Sequence, residues 1–172
     1  MKTYFYYLPN ELKIIIQSYL NFEDIDAYCE IIGVCYDKDY WIYMCPNNLY
    51  INYPNYYIIE KDMAGAICSI IKGANVNKMD GQGQTSIFYA VISGSILLVK
   101  FLQLYGANIH HLDNYNQNPL LLAAFNGHFN IVKYLVEQGA DINNKTTLNQ
   151  SVLDLVDTDK HPKVYQYLKS LY

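Results

Sequence analysis

The run Asn118-Pro119-Leu120-Leu121-Leu122-Ala123-Ala124-Phe125-Asn126-Gly127-His128-Phe129-Asn130-Ile131-Val132-Lys133-Tyr134-Leu135-Val136-Glu137-Gln138-Gly139-Ala140 reads as two short helices joined by a tight break. Asn118 offers a side-chain oxygen to the exposed amides that open a helix, and Pro119 has the fixed φ of a first helical turn. Gly127 ends that helix. Ile131, Val132, Leu135 and Val136 then place an apolar stripe at helical spacing on a second one. Gly139 stands where the second helix stops, a position that wants a left-handed backbone, which glycine adopts without steric cost.

Working outward, the Gly-Ala pair occurs at Gly73-Ala74, Gly106-Ala107 and Gly139-Ala140, a spacing of 33 residues each time. In the same register Asp80-Gly81-Gln82-Gly83-Gln84-Thr85-Ser86-Ile87 falls without gaps on Asp113-Asn114-Tyr115-Asn116-Gln117-Asn118-Pro119-Leu120, and then on Thr146-Thr147-Leu148-Asn149-Gln150-Ser151-Val152-Leu153. Each copy opens with a polar turn, and Thr85, Asn118 or Ser151 stands ready to cap the helix that follows. Leu98, Val99, Phe101 and Leu102 repeat the second-helix stripe one unit earlier, after Gly94. A fixed period of about 33 residues marks stacked turn-plus-two-helix units, each burying its apolar face only against its neighbours. Recognition is then expected on a surface and not in a pocket.

Asn118-Pro119-Leu120-Leu121-Leu122-Ala123-Ala124, Gly127-His128, Ile131-Val132-Lys133-Tyr134-Leu135 and Gly139-Ala140-Asp141-Ile142-Asn143 resemble the ankyrin repeat. The resemblance implies an all-α solenoid and covers Met79 to Tyr172. Phe88 and Leu121 occupy the place where that family usually has histidine, and a bulky apolar residue can pack there. Tyr53-Pro54 and Ile70-Ile71-Lys72-Gly73-Ala74-Asn75-Val76-Asn77 look like a degenerate first repeat, one residue shorter, over about 53–78. Repeats over about 79–111 and 112–144 follow, then a capping repeat over 145–172. In that last copy Val164, Tyr167, Leu168 and Leu171 form the expected inward stripe, while Lys163, Gln166, Lys169 and Ser170 face water. This asymmetry suits a terminal cap, so Tyr172 reads as the end of the stack.

Residues 1–45 lie outside the 33-residue register. Leu8, Leu12, Ile15, Ile16, Tyr19 and Leu20 share one helical face, with Pro9 and Glu11 suited to its first turn. A second helix is expected from near Glu23 and a third around Tyr40 to Met44. Leu8-Pro9-Asn10-Glu11-Leu12 through Ile16, Tyr19-Leu20, Asp24-Ile25, Val34-Cys35 and Trp41 resemble an F-box. The resemblance implies that Leu8, Pro9, Leu12, Ile15, Ile16 and Leu20 dock a Skp-family adaptor of a cullin ubiquitin ligase. The alternative is that these helices only cap the first repeat. The repeats would occupy 46–172, with the Asn- and Pro-rich stretch at 46–55 as linker.

The chain carries 52% apolar residues, enough for a continuous core, and a formal charge of −4. Its 12 Lys and Arg are scattered, whereas a nucleic-acid surface needs them clustered, so nucleic acid is excluded. No run approaches the roughly 18 apolar residues of a membrane span, and no signal segment opens the chain. Cys29, Cys35, Cys45 and Cys68 form no Cys-x-x-Cys pair, which suits reduced thiols in an intracellular, cytoplasmic protein. His110, His111, His128 and His161 have no Cys, Asp or Glu at ligand or triad spacing, so no metal, cofactor or catalytic residue is expected. Asp80, Asp113, Asp141 and Asp154 are expected to serve turns and caps.

The ankyrin resemblance implies a concave face that grips a partner protein. Matching its positions gives Gln82, Gln84, Ile92 and Ser93, then Asn114, Tyr115, Gln117, Phe125 and Asn126, then Thr147, Leu148, Gln150 and Thr158. Tyr115, Phe125 and Ile92 are apolar where packing does not require it, as interface anchors are. The expected function is a monomeric, non-enzymatic adaptor that holds a target on its repeats and recruits a ubiquitin ligase through its N-terminal helices. This arrangement resembles the F-box and ankyrin proteins that large DNA viruses and intracellular bacteria deploy against host pathways. The alternative is an ankyrin scaffold without a ubiquitin role.

Overall fold

The computed structural model describes residues 73–172 and, upstream of them, Pro54, Ile58, Ala66, Ser69 and Ile70. Two compact units divide the chain, Met1–Ala74 and Asn75–Tyr172. The segment expected over 1–45, with its adaptor-docking residues, lies outside the described residues, as do the four cysteines. In the first unit the five upstream residues are helical and buried. The Gly73 N–H donates to the Ile70 carbonyl at 2.9 Å and the Ala74 N–H to the Ser69 carbonyl at 3.0 Å, closing a helix end.

The second unit contains α1 (Ser86–Ile92), α2 (Ile96–Leu104), α3 (Pro119–Phe125), α4 (Phe129–Glu137), α5 (Val152–Leu155) and α6 (Pro162–Lys169). Among the described residues there is no strand. Helices pair as α1 with α2, α3 with α4 and α5 with α6, and the pairs stack: α1, α3 and α5 make an inner row, and α2, α4 and α6 an outer one. Ala90, Ala123 and Ala124 are fully buried along the inner row, where small side chains let helices approach closely. Ile87, Leu98, Leu102, Leu120, Ile131, Leu135 and Leu168 fill the space between, all but removed from water. Burial of each contributes about 1.5–3 kcal/mol, and no single helix pair could supply that cover alone.

The Gly73 helix end recurs at the same period. The Ala107 N–H donates to the Leu102 carbonyl and the Ala140 N–H to the Leu135 carbonyl, both at 2.9 Å. Gly106 and Gly139 carry φ of 85° and 83°, the left-handed residue that this closure demands. Downstream, Val164 and Leu168 are buried while Lys163, Gln166, Lys169 and Ser170 are exposed. Tyr167 is half-buried, edge-on to Phe129 with ring centroids 5.7 Å apart. Leu171 departs from the expected stripe. It lies past the end of α6, on a turn that no longer follows the helical face, and is exposed.

The turns before the inner helices are built alike. Asp80 Oδ1 accepts the N–H groups of Gln82 and Gln84 at 2.8 and 2.9 Å. Asp113 Oδ1 accepts those of Tyr115 and Gln117, both at 2.9 Å. Thr146 Oγ1 accepts those of Leu148 and Gln150, both at 3.2 Å. Near each tip the chain passes through positive φ, at Gly83 (75°), Asn116 (59°) and Asn149 (62°); glycine and asparagine are the residues that tolerate it. Successive turns also bond to one another: the Asn114 N–H donates to the Gln82 carbonyl at 3.0 Å, and the Thr147 N–H to the Tyr115 carbonyl at 2.9 Å.

Caps differ from copy to copy. Asn118 Oδ1 accepts the Leu121 N–H at 2.9 Å while its amide donates to the Asp141 carbonyl, also at 2.9 Å, tying the start of its layer to the end. Ser151 and Asp154 form a reciprocal capping box on α5. Thr85, expected to cap α1, makes no such bond, and its buried hydroxyl finds no partner among the described residues. The short threonine side chain sits where the longer asparagine, one unit on, reaches two partners. Helix α5 is short because Asp157 Oδ1 takes up the Asp159 and Lys160 amides, a local turn that competes with the helix.

The Asp80 carboxylate is pulled upward in pKa by burial, but the Tyr89 hydroxyl and the Gln84 and Gln82 amides outweigh this and hold it below 3.8. Burial and the same bond push the Tyr89 hydroxyl up to about 12.

Two outcomes follow from these contacts. Thr85→Asn should raise stability by about 1 kcal/mol by restoring the missing cap, measured by denaturant unfolding. Because the folded Asp80 pKa lies below its unfolded value, its contribution is complete above about pH 4 and is lost as pH falls through the folded pKa. Asp80→Asn should therefore lose less stability than the parent chain between about pH 5 and about pH 2.5, measured by thermal melts.

Candidate partner-binding surface

A position on each turn and a position late in the first half of each layer recur at the period of the stack. The turn positions are Gln82, Tyr115 and Leu148; Ile92 and Phe125 end α1 and α3, and Thr158, in the same register, lies in the turn past α5, each 33 residues from the next. All six are exposed. Tyr115 retains 55% of its surface, Phe125 58%, Ile92 45% and Leu148 79%, so each keeps a large part of an apolar side chain in water. Since layers stack in register, the six residues run as two parallel columns along the second unit.

Other residues expected on this face are placed variously. Asn114 and Thr147 are exposed, with Asn114 Nδ2 donating to the Gly81 carbonyl at 3.2 Å. Ser93 Oγ and Asn126 Nδ2 are turned back to the Ala90 and Leu122 carbonyls, each at 2.8 Å, and serve their own helix ends. Gln117 and Gln150 are half-buried. Gln84 is corrected: it is buried, with only 8% of its surface open, because its amide donates to Asp113 Oδ2 of the next turn at 3.1 Å. The bond links layers and withdraws Gln84 from any partner.

Met79 and Leu112 join the exposed apolar residues without being among those expected from the sequence. Both are exposed apolar residues at the base of the first two turns, one period apart, with Lys145 in the third. Their signal was in the same register, read one residue upstream of Asp80 and Asp113.

Three of the four histidines pack against the backbone of a turn or a helix end. His111 Nε2 lies 2.8 Å from the Gly83 carbonyl and its ring stands edge-on to Phe88 at 6.0 Å. One period later Asn144 Nδ2 donates to the Asn116 carbonyl at 2.9 Å, the same bond made by another residue. Phe88 is fully buried in the family's histidine place, so packing replaces a hydrogen bond there. His128 lies over Gly94 and His161 over Gly127; a Cβ at Gly127 would come within 2.1 Å of His161 Nδ1. Asp80 and Asp113 serve turns, Asp141 Oδ1 accepts the Asn143 N–H at 2.9 Å, and Asp154 serves the capping box. Among the described residues no three His, Cys, Asp or Glu side chains converge on a metal position, and no helix is long and apolar enough to cross a membrane.

No curated protein matches the chain. Residues 56–146, more than half of the 172, match the family described as ankyrin repeats, in three copies. Stacked helix pairs at a 33-residue period agree with that match: the chain belongs to the ankyrin-repeat family and has that family's protein–protein interaction role.

Proposed function

We propose that the chain is an adaptor: its repeats hold a target protein along the two exposed columns, and its first 45 residues recruit a Skp-family subunit of a cullin ubiquitin ligase. The observation that supports target binding is the exposure of Tyr115, Phe125, Ile92 and Leu148 at positions the stacking leaves free. Large apolar side chains kept in water at periodic places are poor choices for a surface without a partner. Support for the adaptor arm is the spacing of Leu8, Pro9, Leu12, Ile15, Ile16 and Leu20 on one helical face after a Leu-Pro-x-Glu start. Ubiquitin transfer then belongs to the recruited ligase, and the chain needs no catalytic group or cofactor. A host-cell cytoplasm is the setting this reading fits, with the chain acting as a monomer.

Two measurements check the arms separately. In pulldowns with a purified Skp-family adaptor, the intact chain should bind, and a folded Leu8→Asp, Ile15→Asp double variant should not; no binding by either leaves an ankyrin scaffold whose first helices only cap it. For the target arm, Phe125→Asp should leave the unfolding free energy within about 0.5 kcal/mol of the parent, since an exposed site carries little stability. A larger loss would mean that Phe125 packs within the stack.

A further inference from the structure

The exposed columns also restrict what the partner can be, an inference that rests on the target-binding reading above. Gln82, Tyr115, Leu148, Ile92, Phe125 and Thr158 carry no charge. The carboxylates of the first two turns, Asp80 and Asp113, are turned into those turns, where they accept backbone amides, and the charges beside the columns, Lys145, Asp157 and Asp159, belong to the third layer. Over Gln82, Ile92, Tyr115 and Phe125 a charged partner surface would lose water and gain no counter-charge from these side chains. The occupant is therefore apolar where it touches these columns.

The backbone narrows the choice further. An extended peptide bound edge-on needs free N–H and C=O groups to pair with. Along the turns those groups are engaged: the Asn114 and Thr147 amides donate to the Gln82 and Tyr115 carbonyls of the preceding turn, and the Asp113 and Thr146 amides donate to the Gln117 and Gln150 carbonyls within their own, all at 2.9 to 3.0 Å. An extended chain laid over Tyr115 and Phe125 would leave its own polar backbone dry and unpaired. A helix satisfies its backbone internally.

Spacing agrees. Packed helices lie about 8–10 Å apart, which sets the step from Ile92 on α1 to Phe125 on α3. Two turns of helix, seven residues, rise about 10.5 Å. We propose that the two columns of the second unit receive the uncharged apolar face of a partner helix, laid along the stacking direction, with side chains seven residues apart seated on successive layers.

The full chain should be panned against a displayed library of random peptides of about 16 residues, long enough for a marginal helix. The proposal expects enriched peptides free of proline in the middle, with apolar residues at i and i+7 and uncharged positions between them on that face. Synthetic versions should bind with less than about threefold change from about 0.05 M to about 0.5 M salt. Tyr115→Asp and Phe125→Asp should each weaken them at least about tenfold. Enrichment of charged or proline-rich extended peptides that the two variants also abolish would overturn the helix proposal while leaving the target-binding columns standing. No enrichment, or peptides indifferent to both variants, would overturn the two together.

Discussion

Every feature of the second unit depends on one constraint: a two-helix layer of this chain cannot cover its own apolar side. Leu120 and Leu135 belong to one layer, yet their removal from water needs the helices before and after it. Stacking answers this, and it dictates what else can vary. Residues that touch the next layer are held to one chemistry, such as small alanines in the inner row and left-handed residues at the turn tips. Residues that touch nothing are released.

A second, polar system runs beside the apolar one. Layer is bonded to layer through the backbone amides of the turns, through Gln84 on Asp113 and through Asn77, whose amide reaches the Gly106 carbonyl at 2.8 Å, while Asn118 on the Asp141 carbonyl closes a single layer. These bonds fix the lateral register that the apolar contacts, which are non-directional, leave loose. The second helices add Gln103 on Gln138 at 3.1 Å and the Lys100 ammonium 5.1 Å from the Tyr134 ring centre. Thus a surface of exposed apolar residues is held in fixed positions by a scaffold whose polar groups face inward, toward its own turns.

Much of this was legible in the sequence because glycine, proline and asparagine report backbone geometry directly. Gly106 and Gly139 announced helix ends, Asn118-Pro119 a helix start, and their spacing announced stacking. Tyr115, Phe125 and Ile92 stood out because their chemistry conflicts with an exposed place. Gln84 misled for a clear reason: a glutamine looks alike whether it faces water or a buried carboxylate in another layer, and only the distance to Asp113 distinguishes them. Thr85 misled because capping depends on side-chain reach, which residue type alone does not settle. Helix α5 was shortened by Asp157, whose competition with the helix depends on where the chain turns next.

The central claim is that residues 33 apart occupy equivalent places in successive layers, bonded turn to turn. Couplings through hydrogen bonds, measured by NMR on the isotope-labelled full chain, test it most directly. Detectable coupling is expected from the Asn114 amide to the Gln82 carbonyl and from the Thr147 amide to the Tyr115 carbonyl. Couplings confined to each turn, with neither of these bridges present, would contradict it.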